Sequence, residues 1–499
     1  MKQSQHRILL IEPPFYRLFK DTYSLDRYPL SLGYLAGTIH KETDWEVLVY
    51  NADFCSQSES MSVGYLASTG YNNYLSNLKD LSIPVWGEIR STILDFKPDV
   101  IGITTKSQNF KSVCIVAKIV KEINKDITVI VGGPHPSMSG TDIFKYAEFD
   151  VSVIGEGEDV IIELLNTIAA CENFHDIRGI IYRENGKTVE TAPREYIKDL
   201  DSLCFPHESA PEVLKDYDQY PRTAFRNLFT IRGCPYNCLF CGSYKIWSRK
   251  SRFRSPENVV REIKLLQKMG LRLVHFDDDT FGVSKKHIYD LCKAIREYCP
   301  GLKWSSEIHV KLVDEQTISI MKASGCYSIH IGVESGNNEI LKQMRKNSTI
   351  EEALAACEII YKHRIELKAF FIVGFPQETE ETLSDTVAAM KKVKCNLLTY
   401  SIFTPFPGTD SFELCKEYGL IDDSYDVSLY NLQSPANYFC KNIEKKRFRV
   451  LASRIEKMVD RKNSLDRIKR IFSRNTVDKI QELGVRKSLQ RGIRILVGK

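Results

Sequence analysis

Phe229-Thr230-Ile231-Arg232-Gly233-Cys234-Pro235-Tyr236-Asn237-Cys238-Leu239-Phe240-Cys241 is the segment from which the rest of the chain can be placed. Leu228–Arg232 has the apolar character of a buried strand, and Gly233 and Pro235 turn the chain into a loop behind it. Three cysteines follow at C-x3-C-x2-C spacing. Three thiolates on one short loop can wrap one corner of a cubane iron–sulfur cluster. A [4Fe-4S] cluster wants a fourth ligand, so Cys234, Cys238 and Cys241 leave one iron open to a small molecule with amino and carboxylate donors. That is the logic of a reductive cleavage site. Zinc, the alternative, normally takes a fourth Cys or His at matching spacing. The nearest cysteines downstream, Cys292 and Cys299, lie on a helical segment.

Beyond the loop, strand and helix patterns alternate. Candidate strands are Leu228–Arg232, Arg272–Asp277, Lys303–His309, Tyr327–Val333, Leu367–Val373 and Leu397–Phe403; helical patterns such as Pro256–Met269 and Ile350–His363 separate them. Six strands with six crossovers predict an incomplete (β/α)6 barrel over 227–410, with its active site at the carboxyl ends. Those ends read Phe276-Asp277-Asp278-Asp279, Gly332-Val333-Glu334-Ser335-Gly336, Val373-Gly374-Phe375-Pro376-Gln377-Glu378-Thr379 and Thr404-Pro405-Phe406-Pro407-Gly408-Thr409. Taken singly, such Gly and Pro pairs are turn chemistry and an acid run is a solvated strand end. Their succession at consecutive strand ends argues for a site. Residues 411–499 are expected to be mostly helical.

Ahead of the loop, residues 1–175 alternate Val- and Ile-rich runs (Ile8–Ile11, Glu46–Tyr50, Asp99–Thr104, Thr128–Val131, Asp150–Ile154) with helical segments such as Ser112–Lys125. Five strands with helical crossovers predict a doubly wound, Rossmann-like or flavodoxin-like α/β domain that binds its ligand at the carboxyl ends. Residues 176–226 hold a short hairpin near Gly179–Val189 and then a Pro-containing linker. Glycine at a strand end lets a ligand approach the backbone. Gly132 and Gly133 follow the fourth strand, and Gly155, Glu156 and Gly157 the fifth. Thr104, Thr105 and Ser107 close the third. Three neighbouring strand ends thus offer small or hydroxyl side chains around one crevice.

Fourteen of the 499 residues are cysteines, dispersed apart from the loop, which predicts a reducing, cytoplasmic setting. The apolar start is stopped by Pro13 and Pro14 and reads as a first strand, not a signal peptide. No apolar run is long enough for a transmembrane helix. The net charge is +5, yet residues 441–499 hold 19 Lys and Arg against 6 Asp and Glu, so residues 1–440 carry −8. Segments such as Leu465–Phe472 mix basic and apolar residues. Three readings stay open for this tail: a solvated helix packed on the barrel mouth, a peripheral contact with an anionic membrane surface, or contact with another anionic partner.

With these motifs in place, residues 228–410 resemble the radical S-adenosylmethionine (SAM) superfamily, and residues 1–170 resemble the cobalamin (B12)-binding domain that precedes one class of it. The opening Pro13-Pro14 and Pro29–Ala36 segments also resemble that class. The resemblance implies a [4Fe-4S] cluster on Cys234, Cys238 and Cys241. It implies SAM contacts from Phe240, Asp277 or Asp279, Glu334 and Gly374, although the usual glycine pair beside the acid run is absent. Cobalamin would be lined by Thr104, Thr105, Ser107, Gly132, Gly133, His135, Gly155, Glu156 and Gly157. Many cobalamin domains carry D-x-H-x-x-G, whose His ligates cobalt. Here Gly133 stands two residues before His135, so His135 is assigned to the nucleotide tail and not to cobalt.

The implied activity is a cobalamin-dependent methyl transfer. A 5′-deoxyadenosyl radical takes hydrogen from an unactivated carbon or phosphorus-bound centre, and methylcobalamin delivers the methyl group. A non-methylating cyclisation or rearrangement on the same architecture is the alternative, and a cobalamin-binding sensor or scaffold the alternative of another class. tRNA methylthiolation is not expected, because Cys55, Cys114 and Cys171 lie too far apart to form a second cluster trio. Implied partners are a small-molecule, lipid or peptide substrate and an electron donor such as flavodoxin or ferredoxin; no nucleic-acid substrate is expected.

Overall fold

Strands that are apolar at every position must be covered on both faces. The computed structural model, which describes residues 6–471 except 60, 62, 431, 433 and 435, shows how. Five parallel strands, β1 (Arg7–Glu12), β2 (Glu46–Asn51), β3 (Val100–Thr104), β4 (Thr128–Gly132) and β5 (Val151–Val153), lie in the order β2-β1-β3-β4-β5. Ile8 and Leu10 pack with Leu32, Ile39, Val160 and Leu164 from helices Leu30–Glu42 and Glu158–Ala169. Leu9 and Ile11 face the other way, onto Val85, Ile89, Val113 and Val116 of helices Pro84–Phe96 and Phe110–Ile123. This is the doubly wound arrangement, with its switch point between β1 and β3.

The hairpin expected ahead of the linker belongs to this sheet. β6 (Ile180–Glu184) and β7 (Lys187–Glu190) continue it antiparallel from β5, making seven strands. Ile180 and Tyr182 join the same buried core as Ile8 and Leu10, and the added strands cover the edge of the short β5. The remaining connection is not extended: its helix Pro206–Val213 carries Ala210 and Val213 into that core.

The second sheet is six-stranded, parallel and ordered β15-β14-β13-β12-β11-β8. Its members are β8 (Asn227–Leu228), β11 (Leu273–Phe276), β12 (Lys303–Glu307), β13 (Cys326–Glu334), β14 (Glu366–Val373) and β15 (Leu397–Ile402). The single first strand predicted over Leu228–Arg232 is divided. Only Asn227–Leu228 pairs with β11, whereas β9 (Ile231–Arg232) turns away to pair antiparallel with β10 (Arg252–Phe253). Asp278 causes the break. Its carboxylate accepts from the Thr230 amide (2.6 Å), the Thr230 hydroxyl (2.6 Å) and the Ile231 amide (3.0 Å), taking the place of a neighbouring strand.

After the barrel come helices Asp410–Glu417 and Lys445–Ile471. They make the C-terminal region helical, as expected, and between them the described residues are irregular apart from the short turn Val427–Leu429. Asn463 of the second helix bonds both the amide (2.9 Å) and the carbonyl (2.7 Å) of Leu398, capping the open edge strand β15. The expected tail contacts of Leu465–Phe472 and beyond lie outside the described side chains. Among the described residues, no helix is long and apolar enough to cross a membrane.

Candidate active site

Gly233 opens the cysteine loop with φ +95°, and a Cβ there would come within 2.6 Å of the Lys250 carbonyl oxygen, so no other residue fits this turn. Two backbone bonds pin the loop from opposite sides: Leu239 N–H donates to Met344 O (2.9 Å), and Ser411 N–H donates to Leu239 O (3.0 Å). Leu239 is buried with Met344, Phe375 and Phe403, and Phe240 packs beside them. The Cys241 amide closes a turn onto Cys238 O (3.2 Å). Cys234, Cys238 and Cys241 are all free and only half-buried, unlike Cys292 and Cys299, which sit in the core. Burial pushes the Cys238 thiol up and the Cys241 thiol up to about 12. They therefore rest as neutral thiols and become thiolates when a cation replaces the proton. Three accessible thiols on one braced loop fit a cluster with one corner left over.

Beside this loop stands a buried ion pair, Lys346 Nζ to Glu334 Oε1 at 2.7 Å. Glu334 has φ +65° at a bulge in β13, and its side chain folds back over Gly332, where a Cβ would overlap the carboxylate. Burial works to lower the pKa of Lys346, but Glu334 and the thiols of Cys238 and Cys241 hold it above its ordinary value. The pair puts a cation against the cysteine loop, and no motif in the chain marks Lys346 for that place. Gly374 (φ +81°) donates to Glu378 Oε2 (2.6 Å) and lies against the Phe448 ring. Burial raises Glu378 to about 8, so this carboxyl is protonated at neutral pH.

The three aspartates after β11 separate by direction. Asp278 points inward to brace β9 and is raised by burial to about 7. Asp277 and Asp279 point outward into a cavity of about 510 Å³. Asp279 accepts from the Ser243 hydroxyl, and Asp277 pairs with Arg27 of the first domain.

That cavity lies between the two sheets. Its first-domain wall includes Thr104, Gly132, Gly133, Gly155, Glu156 and Gly157. An added Cβ at Gly132 would meet only Val153, at 3.7 Å, so the strand end leaves room that a side chain would take. This cradle fits the cofactor implied for it. Thr105, Ser107 and His135 are not in the wall. His135 is buried, with Nδ1 3.1 Å from Ser107 Oγ and its ring 4.3 Å from that of Phe110, and burial lowers it to about 4. It is a neutral core group that holds the loop after β4 on the loop after β3.

Glu156 has a second task. It receives Arg232 Nη1 (2.7 Å) and Arg252 Nη1 (2.8 Å), while Glu158 receives Arg232 Nη2. The Arg232 guanidinium lies between Phe229 and Trp247, 4.8 Å from each ring centre. Burial would raise Glu158, yet Arg232 holds it below its ordinary value. Arg232 directly precedes Gly233 and Cys234, so the latch ties the crevice to the cysteine loop. Other residues of the cavity wall were also not singled out in the sequence: Lys106 pairs with Glu12 (2.9 Å), and Asp53 is raised by burial to about 7.

Known proteins share both halves. The model of the radical SAM superfamily matches residues 228–390, and that of the B12 binding domain matches residues 17–165. The chain is 30% identical to an uncharacterized methyltransferase of Pyrococcus horikoshii, over 82% of each. It is also 30% identical to the anaerobic magnesium-protoporphyrin IX monomethyl ester cyclase of Rubrivivax gelatinosus, over 74% of this chain and 68% of the cyclase. In fold it is similar to the radical S-adenosylmethionine methyltransferase TsrM of Kitasatospora setae, with TM-score 0.64 and 16% identity over 84% of this chain and 77% of the other.

Proposed function

The chain belongs to the radical SAM superfamily, with a B12 binding domain ahead of its barrel, and from that membership we propose that it is a cobalamin-dependent methyltransferase acting on an unactivated carbon or phosphorus centre. One observation carries the reading. The carboxyl ends of both sheets open on the same cavity, Gly132, Gly133 and Gly155 from one side and Asp277 and Asp279 from the other.

When bound, the cluster with SAM supplies a hydrogen-abstracting adenosyl radical and cobalamin supplies the methyl group. The chain's own residues bind and orient. Cys234, Cys238 and Cys241 hold the cluster, and Lys346, fixed by Glu334, brings a buried positive charge to its side. Asp277 and Asp279 offer acceptors for an ammonium or hydroxyl group, and the glycine ends of β4 and β5 keep a shelf free of side chains. Arg232, clamped by Glu156 and Glu158, keeps shelf and loop in register and closes the seam to water. The substrate class in this reading is a small molecule, lipid or peptide, and the electron comes from a flavodoxin- or ferredoxin-type donor. The reading also places the enzyme in the cytoplasm, with its basic tail at a membrane surface if the substrate is a lipid.

The test is anaerobic reconstitution with iron, sulfide and cobalamin, followed by reduction with methyl-labelled SAM. Release of 5′-deoxyadenosine together with labelled methyl in product is expected. A radical product without the label would instead favour the cyclase-type reaction, which the likeness to the Rubrivivax protein keeps in view. No 5′-deoxyadenosine from cluster-loaded protein under any reductant would end both readings.

A further inference from the structure

Inside the barrel, three neighbouring strands bring His275 (β11), Glu307 (β12) and His330 (β13) together. The parallel register sets His275 beside Ser305 and Glu307 beside His330. Side chains alternate along a strand, and Phe276, Trp304, Ile329 and Ile331 are packed into the hydrophobic core. The opposite faces carry the two imidazoles and the carboxylate into the lumen, where their donor atoms all lie within 4.8 Å of one another.

Glu307 Oε1 is 2.5 Å from His330 Nδ1, and Oε2 is 3.4 Å from His275 Nε2. Ser305 Oγ holds His275 Nδ1 at 2.8 Å, which turns Nε2 toward the carboxylate. Metal-ligating histidines are oriented by just such a bond on the other ring nitrogen. His330 Nε2 is buried and has no hydrogen-bond partner among the described residues. The ion-pair partners of Glu307 are the two histidines, and Lys368 of β14 stands beside His330 in register. Two imidazoles and a carboxylate are a donor set for zinc and for other divalent first-row ions.

We propose that His275, Glu307 and His330 form a binding site for one divalent transition-metal ion in the barrel lumen, separate from the cysteine loop. Three protein ligands leave at least one coordination position open. Asp277 Oδ1 lies 3.9 Å from His275 Nε2, so the site adjoins a residue of the interdomain cavity wall. An oxygen-bearing ligand from that side can complete it.

The probe is Zn²⁺, which is redox-silent and distinguishable from the iron of the cluster and the cobalt of cobalamin. Cluster- and cobalamin-loaded protein is titrated against a chromophoric chelator, desalted and analysed for metal. One zinc per chain is expected. Glu307→Gln and His330→Gln should each weaken it at least about tenfold, with far-UV circular dichroism and cobalamin binding unchanged. Should either variant misfold, His275→Asn provides the same measurement from the opposite side of the carboxylate. A chain with Cys234, Cys238 and Cys241 all changed to Ala must keep its zinc. No zinc above background, zinc that survives these lumen substitutions, or zinc lost with the three cysteines would each overturn the site and leave a hydrogen-bonded His–Glu–His cluster. Binding is read without turnover, so failure of the cluster to assemble would count against the function proposed above and not against this site.

Discussion

The two sheets end in opposite chemistry. At the carboxyl ends of the barrel stand groups that offer atoms: the thiols of Cys234, Cys238 and Cys241, the carboxylates of Asp277 and Asp279, and the Glu334–Lys346 pair. At the ends of the first sheet stand glycines that offer room: Gly132 and Gly133 after β4, Gly155 and Gly157 after β5. One side grips by ligation and charge, which depends on a few donors. The other holds by shape, which is spread over a surface. Loss of a donor should therefore be absolute, and loss of room graded.

The largest expected effect tests the gripping side. Cys238→Ala should abolish both the broad iron–sulfur absorbance and 5′-deoxyadenosine release, while cobalamin binding measured by its visible spectrum stays as it was. Retention of full cluster and turnover would break the comparison at its stronger end. Next is the seam. Arg232→Met leaves Glu156 and Glu158 buried at a domain junction with one guanidinium fewer. Breaking a buried pair from one side costs about 3–5 kcal/mol, so chemical denaturation should begin earlier and protease should cut near the β9–β10 seam. A silent substitution would mean that the two regions do not depend on each other.

Gly132→Val tests the side that offers room. The backbone there is not in the left-handed region, so the chain should fold, but the side chain enters the cavity. Cobalamin affinity should fall by about 10- to 100-fold, or about 1.4–2.8 kcal/mol, with iron and sulfide content unchanged. The smallest effect is one of pH. Glu378 has a native value of about 8 against an ordinary 4.5. The native state thus binds a proton that the unfolded chain releases. This contribution is complete below about pH 4.5 and is lost as pH rises through 8. Glu378→Gln keeps an acceptor for the Gly374 amide and removes the titration. The variant should come close to the parent at pH 5 and exceed it in thermal stability at pH 8. Equal pH profiles for both chains would contradict the buried-acid assignment.

Much of this architecture is legible in the chain because its signals are local. Val- and Ile-rich runs between helical segments place both parallel sheets, and C-x3-C-x2-C places three thiols on one loop whatever surrounds it. The limits appear where a residue has a choice of direction. Asp277, Asp278 and Asp279 read as one acidic run, but a strand end alternates, so one turns inward to brace Thr230 and two face the cavity. His135 has the spacing of a crevice residue and is drawn instead against Phe110, because a neutral imidazole with a Ser107 partner is stable in a core. Glu156 was placed by its glycine neighbours, and only docking of the domains supplied Arg232 and Arg252.

By itself the sequence determined the order of elements, the cysteine loop and the glycine-rich strand ends, since spacing and periodicity act over a few residues. Tertiary structure decided which charges pair across the seam, that Lys346 stands beside the cysteines, and that His275, Glu307 and His330 meet. Those partners lie from 12 residues apart along the chain, for Glu334 and Lys346, to 250, for Arg27 and Asp277. Contacts at that distance depend on strand register and on how one domain seats on another, and no local pattern encodes either.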